Sequence, residues 1–280
     1  MKKLSKFSTR HPLIFSIIIL LLAIAFTEIP LEPLLKNYMD IQTATYITIA
    51  LEQGVCAVIL VVLIKALGLL KSAGFTKPRD WSKVWLVWPI IVLTVLNGWS
   101  LFDGTIVIDS TKPMLIILFI LLNASVGFFE EILCRGMMLT VLLKKWGNTQ
   151  KGIYLSVLIS SFIFGLVHIL NFIMGRSTLP FALTQMAYAM FFGVFFAACL
   201  LRTNSIWPAI ITHAVFDAFG SINEIAVGGS FGQIHQLTLE EALSTIAVTL
   251  PLMLAYGLFI LRKAKSVGSL DSKNGIQAPG

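Results

Sequence analysis

The segment FFEEILCRG carries two adjacent carboxylates, Glu130 and Glu131, with Arg135 four residues beyond the second. On a helix Glu131 and Arg135 share one face, the glutamate N-terminal to the arginine, which is the better order for an ion pair. Glu130 is turned ~100° from Glu131 on a 3.6-residue helix, so the same guanidinium need not satisfy it. A carboxylate left without a partner suits general acid or base chemistry. The alternative is a purely structural Glu-Glu-Arg knot between helices. FGLVH sets Phe164 one turn before His168, where the ring can fix the imidazole and exclude water. His168 also reads as a hydrogen-bonded core residue with Asn171 as its partner. HAVFD sets His213 and Asp217 four apart. That pair can orient a metal-binding or proton-transferring histidine, or be a satisfied polar pair and nothing more.

The elements that must position these groups are membrane helices. Of 280 residues 57% are hydrophobic and 12% charged, with a mean hydropathy of +0.87, against roughly 25% charged in a soluble domain. So little charge cannot cover a globular surface in water. Apolar stretches of about 20 residues predict eight spans, near 12–29, 44–64, 84–102, 114–142, 152–172, 181–201, 206–222 and 243–261. The fold class expected is all-α and polytopic. Residues 1–265 read as a single transmembrane domain whose core is at about 114–222, and 266–280 as a disordered cytoplasmic tail. Pro180 and Pro208 fall where helix starts tolerate proline, while Pro89 and Pro251 fall inside spans and should kink them. Cys56, Cys134 and Cys199 all lie in apolar runs, with no disulfide or zinc-knuckle spacing.

The charges test this topology. With the N-terminus inside, all the lysines and arginines fall on cytoplasmic segments except Lys36, Lys112, Arg176 and the intrahelical Arg135, as the positive-inside rule requires. Glu28, Glu32, Asp40, Asp103, Asp109, Glu224, Glu240 and Glu241 collect on the other side. Both termini are therefore expected in the cytoplasm. The net charge of +7 then belongs to a membrane-facing surface that favours anionic lipid head groups, and no nucleic-acid partner is expected. Lys2 and Lys3 ahead of an apolar run ending near Ala23-Ile24-Ala25 also fit a cleaved signal peptide, which would leave the other helices' orientation unchanged.

Inside the predicted spans remain Glu52, Glu130, Glu131, Arg135 and Asp217, each costing at least ~2.5–3.5 kcal/mol at mid-membrane. His168 and His213 join them. Polar groups converging from separate helices are how intramembrane sites are built.

The three motifs, Glu130-Glu131-x-x-x-Arg135, Phe164-x-x-x-His168 and His213-x-x-x-Asp217, occur in an order that resembles the CPBP family, also called Abi. That family includes the type II CAAX prenyl endopeptidases and relatives linked to bacteriocin processing. The resemblance implies an intramembrane endopeptidase acting on a membrane-embedded or lipid-modified peptide or protein. It implies that Glu130 and His168 activate the attacking water, and that His213 and Asp217 stabilise the oxyanion or complete the site. Glu131 and Arg135 would hold Glu130 in place. The prenyl endopeptidases often carry asparagine where this chain has Asp217, and an ionised aspartate cannot donate to an oxyanion. The same resemblance implies a metalloprotease, with Glu130, His168, His213 and Asp217 as a plausible ligand set for zinc or another divalent ion. H-E-x-x-H is absent, and the groups can also serve as a metal-free general-base pair. A non-proteolytic scaffold or regulator and an ion-coupled transporter are the rival readings, the latter lacking matched interrupted helices in the two halves. A bacterial plasma membrane is the expected location.

Overall fold

The computed structural model describes residues 2–78 and 80–264; the expected tail at 266–280 lies outside the described residues. The described chain is all-helical, with two isolated β-bridges between loops. Helix α1 (Lys2–Arg10) is followed by α2 (Pro12–Thr27), α3 (Ile41–Ala66), a 3₁₀ segment (Trp81–Val87) and α4 (Trp88–Asn97). Helix α5 (Pro113–Glu131) runs into a π-helical segment (Ile132–Leu139) and then α6 (Thr140–Trp146). Next come α7 (Gln150–Val167), α8 (Leu179–Thr203), α9 (Trp207–Gly220) and α10 (Leu239–Thr249), and a second π-helical segment (Leu250–Ala255) leads to α11 (Tyr256–Leu261).

Six helical stretches are long and apolar enough to cross a membrane: Pro12–Leu35, Ile41–Ala66, Pro113–Trp146, Gln150–Ile173, Leu179–Thr203 and Leu239–Leu261. The two other expected spans are shorter helices. The stretch expected at 84–102 is a 3₁₀ turn, then α4, then a break at Gly98 before a further turn at Trp99–Phe102. Pro89 causes no kink, because it sits in the first turn of α4, where its missing N–H has no partner to lose. Pro251 does fall inside a stretch that departs from α geometry, the π segment at 250–255.

Helix α8 forms the centre of the bundle, with Val194, Phe195, Phe196, Ala197, Ala198 and Cys199 all buried. It packs on α7 and α11, while α5 packs on α3 and α9. The π segment after Glu131 is where these two groups of helices meet, since it touches α3, α7 and α8. Lipid is as apolar as leucine, so burial alone does little to hold such helices together; close packing and polar contacts do. Small residues permit the closeness. A Cβ on Gly193 of α8 would come within 2.7 Å of Ser161 Cβ on α7. One on Gly127 of α5 would meet the backbone nitrogen of Ala214 on α9 at 2.8 Å.

At the loop-bearing end, Asp40 caps α3 by accepting from Thr43 N at 3.0 Å, and these Thr43 bonds hold its carboxyl below the usual range. The 221–229 loop pairs with the 106–109 loop through Asp109 N to Ile225 O at 2.9 Å and Val227 N to Val107 O at 2.8 Å. Glu224 accepts from the Tyr46 hydroxyl at 2.7 Å, and burial raises its carboxyl above the usual carboxylate range. The three cysteines are free and buried, as their apolar settings suggested.

The α5–α9 contact yields a stability prediction. Gly127→Ala forces a methyl against α9 backbone and should destabilise the fold by about 1–3 kcal/mol. Gly54→Ala, whose added methyl would meet only Ser125 Cβ at 4.0 Å, should leave stability unchanged. Thermal unfolding of both variants in detergent distinguishes them, and equal melting temperatures would contradict the close α5–α9 approach.

Candidate active site

The site is built around Glu131, the last α-helical residue of α5, whose side chain is fully buried. Its Oε1 lies 2.9 Å from Arg135 Nη1, the ion pair expected from the four-residue spacing. The same oxygen accepts from His213 Nδ1 on α9, also at 2.9 Å. A carboxylate paired with a guanidinium can only accept, so Nδ1 carries the proton and the imidazole is held in one orientation. The sequence suggested that Glu131 and Arg135 steady Glu130 and that Asp217 orients His213. The structure also puts Glu131 on His213 Nδ1, a contact between residues 82 apart in sequence that no local spacing announces.

The other ring nitrogen faces the carboxylates. His213 Nε2 lies 3.6 Å from Glu130 Oε2 and 3.4 Å from Asp217 Oδ2. Glu130 and Asp217 keep 22% and 28% of their side-chain surface exposed, whereas Glu131 keeps none. The carboxylate left over by the ion pair is therefore the accessible one.

Arg135 is handled in an uncommon way. Neither terminal nitrogen has a well-aligned hydrogen-bond acceptor, and the guanidinium lies over the Phe164 ring at 4.5 Å and the Phe196 ring at 5.5 Å. Desolvated cation–π contacts of this kind are worth about 2 kcal/mol, which offsets part of the missing hydrogen bonding. Phe164 also meets His168 edge-on, at 5.3 Å between centroids and 80° between planes, and His213 at 6.4 Å and 89°. One ring thus contacts both histidines; the contact with His168 is the one its four-residue spacing led us to expect.

His168 ends α7 as its C-cap residue. Asn171 is not its side-chain partner: the Asn171 amide donates to Gln185 Oε1 at 2.9 Å. Phe196, which sequence reasoning missed, stacks on the His213 face at 5.4 Å and 23°. It sits in an unbroken apolar run of α8 that gives no local signal. Glu52 does not join the site. It is buried on α3 with Oε1 unpartnered, in the field of Glu28 and Arg176. Those two residues form an ion pair with Arg176 Nη2 2.6 Å from Glu28 Oε2.

The ligand set Glu130, His168, His213 and Asp217 does not fit a metal in these positions. Among the described residues no three His, Cys, Asp or Glu side chains are grouped to hold one. Both nitrogens of His213 already face carboxylates.

Fold and site together define a polytopic α-helical membrane protein with a carboxylate–imidazole centre inside its helical bundle. Residues 112–219 match the family model described as type II CAAX prenyl endopeptidase Rce1-like. That segment contains all three motifs, and over it the chain is similar to that family. No curated protein and no solved structure matches the chain.

If Glu131 anchors the site, losing its charge should harm the fold more than losing that of Glu130. Glu131→Gln leaves the Arg135 charge buried without a counter-ion and should cost about 3–5 kcal/mol. Glu130→Gln, at a part-exposed position, should cost under ~1 kcal/mol. Unfolding midpoints in detergent report both, and the reverse order would refute the anchoring role.

Proposed function

We propose that the protein is an intramembrane endopeptidase that hydrolyses a peptide bond in a membrane-embedded or lipid-modified peptide or protein. The observation carrying this reading is the convergence of Glu130, His213 and Asp217 on one point, with His168 across the Phe164 ring. The family match over 112–219 supports the protease class.

In the reaction we envisage, Glu130 takes a proton from a water positioned with His168, and the resulting hydroxide attacks the scissile carbonyl carbon. The C=O π electrons move onto oxygen, giving a tetrahedral oxyanion. Collapse of that intermediate breaks the C–N bond, and Glu130 returns the proton to the departing amine nitrogen. Glu131, Arg135, Phe164 and Phe196 act as positioning residues for His213. Charge development in a water-poor site makes each fixed donor worth more than it would be in bulk water.

The same reading takes the two short helices, Trp81–Asn97 and Trp207–Gly220, as further spans, giving eight with both termini cytoplasmic and a bacterial plasma membrane as the setting. Two short spans are tolerable because one of them carries the site and the other packs beside it: α9 lies against both α4 and α5. A scaffold or regulator is the second reading, favoured by the buried Glu131–His213 contact, which ties α5 to α9 whether or not a peptide is cut.

Terminal peptides of the membrane proteome, compared between cells making wild type and cells making Glu130→Ala at matched abundance, test the proposal without a guessed substrate. Precursor termini accumulating only with the variant are expected. Identical profiles with both proteins stably inserted would favour the scaffold. Once a substrate is found, cleavage by purified protein should survive exhaustive chelation. Loss restored by zinc would instead make Glu130, His213 and Asp217 metal ligands in a rearranged site.

A further inference from the structure

Helices α8 and α9 run antiparallel, with Phe196 stacked on His213 at 5.4 Å and Phe192 against Phe216 at 4.9 Å. Past that level α9 ends at Gly220, about 6 Å of helix rise, whereas α8 reaches back to Leu179, about 20 Å. The mismatch leaves roughly 14 Å along the bundle between the end of α9 and the start of α8. Asp217 lies in the last turn of α9 with 28% of its side chain exposed, and His168 ends α7 toward the same side. The chain that crosses this level is 221–238, between α9 and α10.

The segment stands on two feet of unequal strength. The first is built in. Ile222 and Ile225 are buried in one apolar cluster with Tyr46 and Phe119, and Phe231 meets the Tyr46 ring edge-on at 5.6 Å. Glu224 Oε2 accepts from the Tyr46 hydroxyl at 2.7 Å, and the Glu224 carbonyl accepts from Gln42 Nε2 at 2.8 Å. Two main-chain bonds close this foot, Asp109 N to Ile225 O at 2.9 Å and Val227 N to Val107 O at 2.8 Å.

The second foot rests on the start of α8. Thr178 N donates to His235 O at 2.9 Å, but His235 N reaches Arg176 O only at 3.4 Å, longer than an ordinary N–H···O bond. The imidazole stacks on Phe181 at 5.1 Å and 23°, and residues 232–236 are exposed. Gly232, directly after the packed Phe231, has a φ of +73°, a region that glycine enters without steric cost. The chain can pivot there and leave the first foot in place.

We infer that 232–237 is a lid over the loop-bearing mouth of the site, hinged at Gly232 and opened by parting His235 from Arg176, Thr178 and Phe181. Opening gives water and the polar part of a peptide a path to Glu130 and Asp217. The gating role rests on the protease reading; the motion itself does not. Elements that move during turnover come from the weakly held parts of a fold, and of the two feet only the second is weakly held.

Hydrogen exchange of the wild-type protein in detergent reads the motion directly. The Thr178 and His235 amides should exchange at least about tenfold faster than those of Asp109 and Val227. Equal protection at the two feet overturns the lid. Two cysteine pairs then test the gate. Ser177 and His235 form a parallel bridge, and Ile108 and Ala226 an antiparallel one. Residues bridged in these ways have Cα atoms about 4.5–5 Å apart, within reach of a disulfide. With the substrate identified by the terminal-peptide comparison, oxidised Ser177→Cys/His235→Cys should turn over at least about tenfold more slowly than its own reduced form. Oxidised Ile108→Cys/Ala226→Cys, which locks the foot that stays in place, should remain within about twofold of its reduced form. A locked second foot without effect, or an equal loss from both locks, overturns the gate. Failure of the protease reading is separate: wild type, the reduced variants and Glu130→Ala would then be equally inert, while the exchange rates would still report the lid.

Discussion

The site depends on a single buried oxygen. Glu131 Oε1 lies 2.9 Å from a guanidinium nitrogen one turn along its own helix and 2.9 Å from an imidazole nitrogen on another helix. A carboxylate with no exposed surface in a membrane protein is tolerable only with compensation of this kind. The compensation also supplies information, because it ties α5 to α9, sets the His213 tautomer and aims Nε2 at Glu130 and Asp217. Around that oxygen the remaining groups are arranged by aromatic rings. Phe164 and Phe196 cover Arg135, and the same two rings contact His213 on its edge and on its face.

The π-helical segment that begins directly after Glu131 belongs to the same arrangement. Such segments are rare and collect at functional sites. Here the wider turn comes between the carboxylates and Thr140, whose hydroxyl donates to the Arg135 carbonyl five residues back at 3.1 Å. The whole stretch Ile132–Leu139 is buried. Gly136 within it leaves room for Ile64 and Ile206, whose methyl carbons would lie 3.3 and 3.5 Å from an added Cβ. Small residues where helices cross and a fully engaged carboxylate at the meeting point answer one constraint, since helices in lipid gain little from burying more apolar surface.

Much of this was legible in the sequence because a membrane makes charge conspicuous. Glu130, Glu131, Arg135, His168, His213 and Asp217 stand out in apolar helices, and their i,i+4 spacings correctly indicated the Glu131–Arg135 pair and the Phe164–His168 contact. What the sequence left out was cross-helix pairing. Glu131 and His213 are linked by tertiary structure alone. Phe196 is one phenylalanine in an apolar stretch, and Asn171 chose Gln185, a residue of the next helix, over the neighbouring histidine. Span length was the other weak point, because 84–102 is continuous in hydropathy but broken in backbone at a 3₁₀ turn and at Gly98.

The carboxylates also limit how the site can be charged. Glu131 is balanced by Arg135, so the group formed by Glu130, Asp217 and His213 must settle its charge internally. Two ionised carboxylates about 3.5 Å from one ring nitrogen repel each other strongly unless a proton is shared among the three. The proton Glu130 takes from water in the proposed reaction is then one of a pool held by three side chains, and the protonation of Asp217 bears directly on when Glu130 is free to act. An asparagine at 217 would remove one carboxylate from that pool and supply an amide donor.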